Sequence, residues 1–135
     1  MQLVLDTNVV LDLLVFDDPQ TRALAEGLRG GSLQWLATAA MREELARVLD
    51  YPKLARRVAL RRGGSAAVLA DFDLHARVVQ APARADLTCG DPDDQKFIDL
   101  AIAHRCLLLS KDDAVLRLKK RLGLLHVTAT ARLAA

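Results

Sequence analysis

The apolar residues of this chain fall into short runs that alternate with longer segments of helical periodicity. Residues 3–5 (Leu-Val-Leu) are apolar without alternation, which is typical of a strand buried on both faces of a parallel sheet. Further candidate strands are residues 33–37, 76–80, 106–109 and 124–127. Strands that alternate with helices predict an α/β fold, in which a central parallel sheet is covered on both sides and connected by right-handed crossovers.

Helix boundaries are marked by acids that precede a proline. Asp18-Pro19 and Asp91-Pro92 each place an N-cap carboxylate before a proline at the first helical position. The pattern predicts helices at residues 9–16, 18–29, 39–49, 53–62, 65–74, 91–104 and 112–121. The last five residues are predicted to fray. With 135 residues and no linker or internal repeat, residues 1–135 are predicted to form a single domain.

Composition narrows the class of protein. Hydrophobic residues make up 52% of the chain and the net charge is only +2, so the signature of disorder is absent. No apolar stretch approaches membrane-spanning length, and the N-terminus lacks the pattern of a signal peptide. Cys89 and Cys106 have no metal-ligand neighbours at short spacing, and although a single disulfide stays open, reduced cysteines are the simpler interpretation. We expect a soluble protein of the cytoplasm.

Three acidic positions far apart in the sequence are expected at one edge of the sheet. Asp6 follows the first strand, Asp112 follows the fourth, and Asp94 lies in the first turn of a helix that begins at the same edge. Asp94 shares the apolar face of its helix, whereas Asp93 does not. Asp113 directly follows Asp112, so the last position stays open between these two. Taken singly, acids at helix starts also fit simple caps, and the prediction therefore depends on their convergence.

A fourth acid comes from the helix at residues 39–49. Glu44 flanks the apolar stripe of that helix, whereas Glu43 lies on the opposite face and can pair with Arg47. An inward glutamate needs a partner, and a metal ion is a candidate. Convergent carboxylates without His or Cys suit Mg²⁺ or Mn²⁺, because a cation relieves their mutual repulsion. The predicted metal-binding and catalytic residues are Asp6, Glu44, Asp94 and Asp112. Residues expected to orient ligands or waters from behind them are Thr7, Asn8, Asp91, Ser110 and Asp113.

This set of acids predicts metal-assisted hydrolysis of a phosphodiester. One ion can generate the attacking hydroxide, and a second, roughly 4 Å away, can stabilise the leaving oxygen. The number of ions stays open at this point.

Four stretches of the chain resemble motifs of the PIN domain family. They are Asp6-Thr7-Asn8 after an apolar strand, Glu44-Leu45 on a helix, Asp91-Pro92-Asp93-Asp94 at a helix start, and Ser110-Lys111-Asp112 after another apolar strand. They follow one another in the order typical of the family over essentially the whole chain, and look closest to its branch of toxin–antitoxin toxins. Ser110 stands where the family usually has threonine, a change that keeps the hydroxyl.

The resemblance implies a three-layer α/β/α sandwich and cleavage of single-stranded RNA with Mg²⁺ or Mn²⁺. It implies the four acids above as the metal site, a homodimer, and a small antitoxin protein as partner. Because aromatic residues make up only 4% of the chain, RNA would be held mainly through its charged backbone. The expected phosphate contacts are Arg42, Arg47, Arg56 and Arg57.

Two other functions are compatible with the same residues. A catalytically silent module would bind RNA or a protein partner without turnover. A phosphohydrolase would use Asp6 as its nucleophile, but Asn8 stands where such enzymes commonly carry a second aspartate.

Overall fold

Five parallel strands form the centre of the fold in the computed structural model, which describes residues 1–61 and 63–133. They are β1 (Gln2–Leu5), β2 (Gln34–Ala37), β3 (Ala76–Val78), β4 (Leu107–Leu109) and β5 (Thr128–Thr130). Their order across the sheet is β3-β2-β1-β4-β5, and every neighbouring pair is parallel. The predicted central parallel sheet is confirmed.

Helices flank this sheet, so the predicted three-layer α/β/α class is also confirmed. They are α1 (Thr7–Leu14), α2 (Arg22–Gly30), α3 (Ala39–Leu49), α4 (Pro52–Leu60), α5 (Gly64–His75), α6 (Gln95–His104), α7 (Asp113–Leu116) and α8 (Lys119–Leu124). Single 3₁₀ turns at Pro19–Thr21 and Pro92–Asp94 lead into α2 and α6, and each turn has the predicted aspartate as its N-cap. None of the described helices is both long and apolar enough to cross a membrane.

Several predicted elements differ from the structure: the helix predicted at residues 9–16 is Thr7–Leu14, and the strand predicted at residues 76–80 is Ala76–Val78. The predicted last strand at residues 124–127 is wrong, because Leu124 ends α8 and the strand is Thr128–Thr130. His126 adopts a left-handed conformation with φ 66°, and the Val127 amide bonds back to the Leu122 carbonyl, so this apolar run closes a helix instead.

The predicted helix at residues 112–121 is divided into α7 and α8. The helix predicted at residues 53–62 ends at Leu60 as α4, and its last residue, Arg62, lies outside the described residues. The last two residues of the predicted C-terminal tail also lie outside the described residues.

The core lies around β1, the central strand. Leu3, Val4 and Leu5 are buried, as expected of a run that is apolar on both faces. On the β2 side, the rings of Trp35 and Phe72 meet edge to face at 4.9 Å. The residue that follows β1, Asp6, is therefore attached to the buried centre of the sheet.

The boundary between β1 and β4 is the point where the strand order reverses. The chain passes from β1 to β2 on one side and later places β4 on the other side. Leu5 is in register with Leu109, and the Asp6 amide donates to the Leu109 carbonyl at 3.0 Å. In open α/β sheets, ligands bind beyond the carboxyl ends of the strands at such a reversal. Asp6 and Ser110 stand at this position.

Candidate metal centre

Asp6 is held firmly at the carboxyl end of β1. Its side chain is 3% exposed and caps α1, where Oδ1 accepts the Val9 amide at 2.9 Å. Oδ2 accepts a hydrogen bond from the hydroxyl of Ser110, which is fully buried after β4. Burial raises the pKa of Asp6 and the nearby Asp112 charge adds to this, while the two hydrogen bonds act in the opposite direction. Asp6 is therefore a buried carboxylate with both oxygens already bonded.

A group of three carboxylates lies beside Asp6. One oxygen each from Asp91, Asp94 and Asp112 lies within 4.8 Å of the others. Asp91 uses one oxygen to accept the Asp93 amide at 2.9 Å, and Asp112 uses one to accept the Ala114 amide at 2.8 Å. Asp91 and Asp112 therefore serve both as helix caps and as members of the group. From the sequence alone these two roles are alternatives. We call these three residues the carboxylate cluster.

Asp94 is the member of the carboxylate cluster with a buried oxygen that no hydrogen-bond donor of the described residues contacts. Its side chain is buried at the first turn before α6, and Oδ2 has no hydrogen-bond partner among the described residues. Burial, then the close approach of the Asp112 carboxylate and the charges of Asp91 and Asp6, raises the pKa of Asp94 to about 7. A buried, unpartnered carboxylate oxygen beside two further carboxylates is a fitting donor set for a hard divalent cation.

Glu44 approaches the same region from α3 but is already partnered. Its Oε1 accepts a hydrogen bond from Thr7, and its Oε2 forms an ion pair with the Lys96 ammonium at 2.8 Å. Glu44 is half-buried, whereas its neighbour Glu43 is exposed. Glu44 therefore faces the site, while its charge is balanced by a lysine.

A cleft of about 490 Å³ runs along these residues. It is lined among others by Asp6, Thr7, Glu44, Arg47, Asp94 and Phe97. The cleft connects the acids to the surface formed by α3 and the start of α4. It opens to the surface and reaches the carboxylate cluster at Asp94.

The four arginines predicted to contact phosphate differ in their surroundings. Arg42 is bound by Asp73 through two hydrogen bonds of 2.7 and 2.8 Å. Arg47 lines the cleft, and Arg57 stacks over the ring of Phe16, which also lines the cleft. Arg56 is exposed on α4. Their proposed contacts with phosphate stay predictions.

A second cleft, of about 840 Å³, is larger but chemically unlike the first. It lies where β1 and β4 begin and extends along β5, the edge strand. Its basic side chains are His104, Arg105, Lys119, His126 and Arg132. No carboxylate is among the described residues that line it, so it offers no oxygen ligands for a divalent cation. Size alone therefore does not identify the site, and the smaller acidic cleft is the candidate.

Of the residues predicted to support the site, Asn8 and Asp113 are exposed, and Ser110 is buried against Asp6. Sequence reasoning missed Lys96, which contacts Glu44. One signal was available: Lys96 is the second residue of α6, where the helix dipole disfavours a cation. A cation at such a position indicates a compensating contact with an acid.

The fold and the carboxylate cluster define an α/β/α protein with a polar site at the switch point of its sheet. The sequence matches the PIN domain family over residues 2–114, and the chain belongs to this family. PIN domains are generally nucleases, which supports a hydrolase. No curated protein sequence gives a significant match.

One similar solved structure supports the fold independently. It is the crystal structure of VapBC2 from Rickettsia felis bound to a DNA fragment from their promoter. The match has a TM-score of 0.63 at 15% sequence identity, and it covers 96% of this chain and 98% of that chain. At this identity the likeness establishes the shared fold.

Proposed function

We propose that this chain is an endoribonuclease that cleaves single-stranded RNA with Mg²⁺ or Mn²⁺. The observation that carries the proposal is the buried Oδ2 of Asp94, which has no partner among the described residues although two more carboxylates lie beside it. An ionised oxygen in that position is costly unless a cation binds it. Membership of a family of nucleases supports phosphodiester hydrolysis as the reaction.

The metal ion would be held by the carboxylate cluster, Asp91, Asp94 and Asp112. When bound there, it would supply a water of lowered pKa and neutralise charge on the phosphate. Asp6 contributes from behind, because its hydrogen bond from Ser110 fixes the loop that carries Asp112. The resemblance implies Glu44 as a further ligand, and its Oε2 is already paired with the Lys96 ammonium.

Positive side chains along the cleft would hold the substrate. Arg47 and Lys53 line it, and an RNA backbone that follows the cleft would pass both. Contacts with phosphate orient a strand without reading its sequence, which suits a chain with few aromatic residues for base stacking. We propose single-stranded RNA on the strength of the family resemblance.

We further propose that the chain is the toxin of a toxin–antitoxin system and is restrained by a small antitoxin protein. The support is the fold shared with VapBC2 of Rickettsia felis, whose structure was solved with promoter DNA. A homodimer stays a prediction from the family resemblance. Copurification with the product of a neighbouring short reading frame is the direct test of the antitoxin.

The nuclease proposal is tested by incubating structured and unstructured RNAs with the chain, with and without Mn²⁺. Asp94→Asn removes the uncompensated oxygen and is expected to abolish cleavage. Asp93→Asn is the matched control, because Asp93 is adjacent, exposed and outside the carboxylate cluster. Cleavage that persists in EDTA or in Asp94→Asn would contradict the proposal. RNA binding without turnover would instead support a silent binding module.

A phosphohydrolase with Asp6 as nucleophile is less compatible with the geometry. Both oxygens of Asp6 accept hydrogen bonds, from Val9 and from Ser110, and the side chain is buried. A nucleophile must reach the phosphorus atom, and each oxygen of Asp6 already holds a hydrogen bond that attack would weaken.

A further inference from the structure

Lys96 connects α6 to α3 beside the acidic cleft, where its contacts Glu44 and Asp93 are lining residues. Its ammonium donates to Oε2 of Glu44 at 2.8 Å and to the backbone carbonyl of Asp93 at 2.6 Å. It also lies 4.8 Å from the centre of the Phe97 ring, within the range of a cation–π interaction. The ammonium is thus fixed at one place by three attractions, and one of its three N–H groups remains for a further acceptor.

The position of Lys96 is not explained by the stability of its helix. It is the second residue of α6, where the macrodipole disfavours a positive charge. Its side chain is only 26% exposed, and that of Glu44 is 17% exposed. A lysine at a position that the helix dipole disfavours, next to the candidate metal site, indicates a functional constraint.

The two sides of the site differ in charge compensation. Both oxygens of Glu44 are engaged, one by Thr7 and the other by Lys96. In contrast, Oδ2 of Asp94 in the carboxylate cluster has no partner among the described residues. An added cation is therefore needed to balance charge at the carboxylate cluster, whereas the charge of Glu44 is already balanced by Lys96.

We propose that the Lys96 ammonium takes the place of a second metal ion, so that the site binds one divalent cation, at Asp91, Asp94 and Asp112. Glu44 then positions Lys96 and is not itself a metal ligand. In a two-ion site, carboxylates hold both ions about 4 Å apart. Here the carboxylate on the Glu44 side already holds a cation. The proposal rests on the proposed function for its meaning in catalysis, but the count of ions can be measured without it.

The free N–H of Lys96 suggests what the fixed charge does. An ammonium is a compact point charge that binds phosphate oxygens. With RNA in the cleft, Lys96 would donate to an oxygen of the phosphate whose other oxygens face the carboxylate cluster. It would thereby balance charge on the side that lacks the ion.

The test is the stoichiometry of Mn²⁺ binding, measured by titration calorimetry on the full chain without RNA. We expect one ion for the wild type, two for Lys96→Met, and one again for the double variant Lys96→Met/Glu44→Gln. Lys53→Met is the matched control, because Lys53 lines the acidic cleft, as Glu44 does, and has no ion pair among the described residues. It is expected to bind one ion. Lys96→Arg keeps the charge and is expected to bind one.

Two Mn²⁺ ions in the wild type, or one in a folded Lys96→Met variant, would overturn the inference. Folding is checked by circular dichroism, and a Lys96→Met variant that fails to fold leaves the wild-type count and the Lys96→Arg count to decide. The inference is supported and the ribonuclease proposal is overturned if the wild type binds one ion and Lys96→Met binds two, but no RNA is cleaved. Two bound ions in a wild type that cleaves RNA would overturn the inference and support the ribonuclease proposal.

A kinetic readout complements the count. Removing one preorganised hydrogen-bond donor to a transition state lowers kcat by about 10²–10³-fold. We expect this loss for Lys96→Met at Mn²⁺ concentrations that fill only the first site. A KM effect without a loss in kcat would show that Lys96 contributes to RNA binding alone, and would overturn its role as a second cation.

Discussion

The hydroxyl of Ser110 donates a hydrogen bond to Oδ2 of Asp6 and so joins the ends of β4 and β1, the two strands at the reversal of the sheet. The same hydroxyl accepts the Asp112 amide at 3.1 Å. One buried oxygen atom therefore fixes the positions of an acid at the start of the chain and an acid in its last quarter. The site depends on this bond for its shape.

Removing the hydroxyl tests that dependence. Ser110→Ala leaves Oδ2 of the buried Asp6 without its donor, and a hydrogen bond to a charged group is worth about 1.5–3 kcal/mol. We expect a loss of that order in the free energy of unfolding, measured in urea, and weaker Mn²⁺ binding by about 10–100-fold. Ser32→Ala is the control, because its exposed hydroxyl makes one long bond of 3.4 Å. A stability equal in the two variants would contradict the prediction.

Neutralising Asp94 should have opposite effects on binding and on stability. Asp94→Asn removes a buried charge that has no hydrogen-bond partner at Oδ2 among the described residues. We therefore expect the metal-free variant to be more stable than the wild type at pH 8, although it no longer binds Mn²⁺. Thermal melts with EDTA and with Mn²⁺ measure both. The adjacent exposed Asp93→Asn should change neither, and a metal-free Asp94→Asn that melts below the wild type would refute this account.

The metal-free chain should lose stability as the pH rises through the weakly acidic range. The pKa of Asp94 in the folded chain is about 7, above its ordinary value near 4, because of burial and neighbouring carboxylates. Between these two values the folded state binds more protons than the unfolded state, so the free energy of unfolding falls as pH increases and levels off above about 7. Urea titrations in EDTA from pH 5 to pH 8 measure this fall.

The contribution of Asp94 is isolated by comparison with Asp94→Asn. The pKa of Asp6 is raised as well and acts in the same direction in both proteins. The difference between wild type and variant should therefore grow with pH and then become constant. A difference that does not vary with pH would mean that Asp94 titrates normally.

The arginines of the cleft should differ in their effect on RNA affinity. Arg47 lines the cleft, whereas Arg42 is bound by Asp73. Arg47→Ala is expected to weaken binding of an oligonucleotide in EDTA and to reduce the slope of log K against log salt by about 0.7, the value for one phosphate contact on a single strand. Arg42→Ala should leave the slope unchanged. Equal slopes in both variants would place the RNA elsewhere.

Local pattern predicted the central part of this fold because local chemistry dictates it. The apolar run of β1 and the Asp-Pro starts of the turns before α2 and α6 were read correctly, since burial and capping are encoded within a few residues. The last strand was misplaced because a left-handed residue, His126, ended a helix within an apolar run. Such a conformation is rare for any residue but glycine and is not readable from periodicity.

The site was predictable in part for the same reason. Helical phase depends on one segment, and the predicted orientation of Asp94 toward the core needs no other information. The ion pair of Lys96 with Glu44 joins α6 to α3, across 52 residues, and depends on how those helices pack. The catalytic roles given to the acids remain predictions until the variants above are measured.

The pairing of β1 with β4 also determines when the site can exist. Asp6 and Ser110 are separated by 104 residues, and ribosomes add about 5–20 residues per second, so roughly 5–20 s pass between the synthesis of the two. Throughout that interval the nascent chain has its first strand but lacks the neighbour that completes the centre of the sheet. Any activity that depends on the assembled acids is consequently latent during translation until residues 110–112 have left the ribosome and β4 has paired with the first strand.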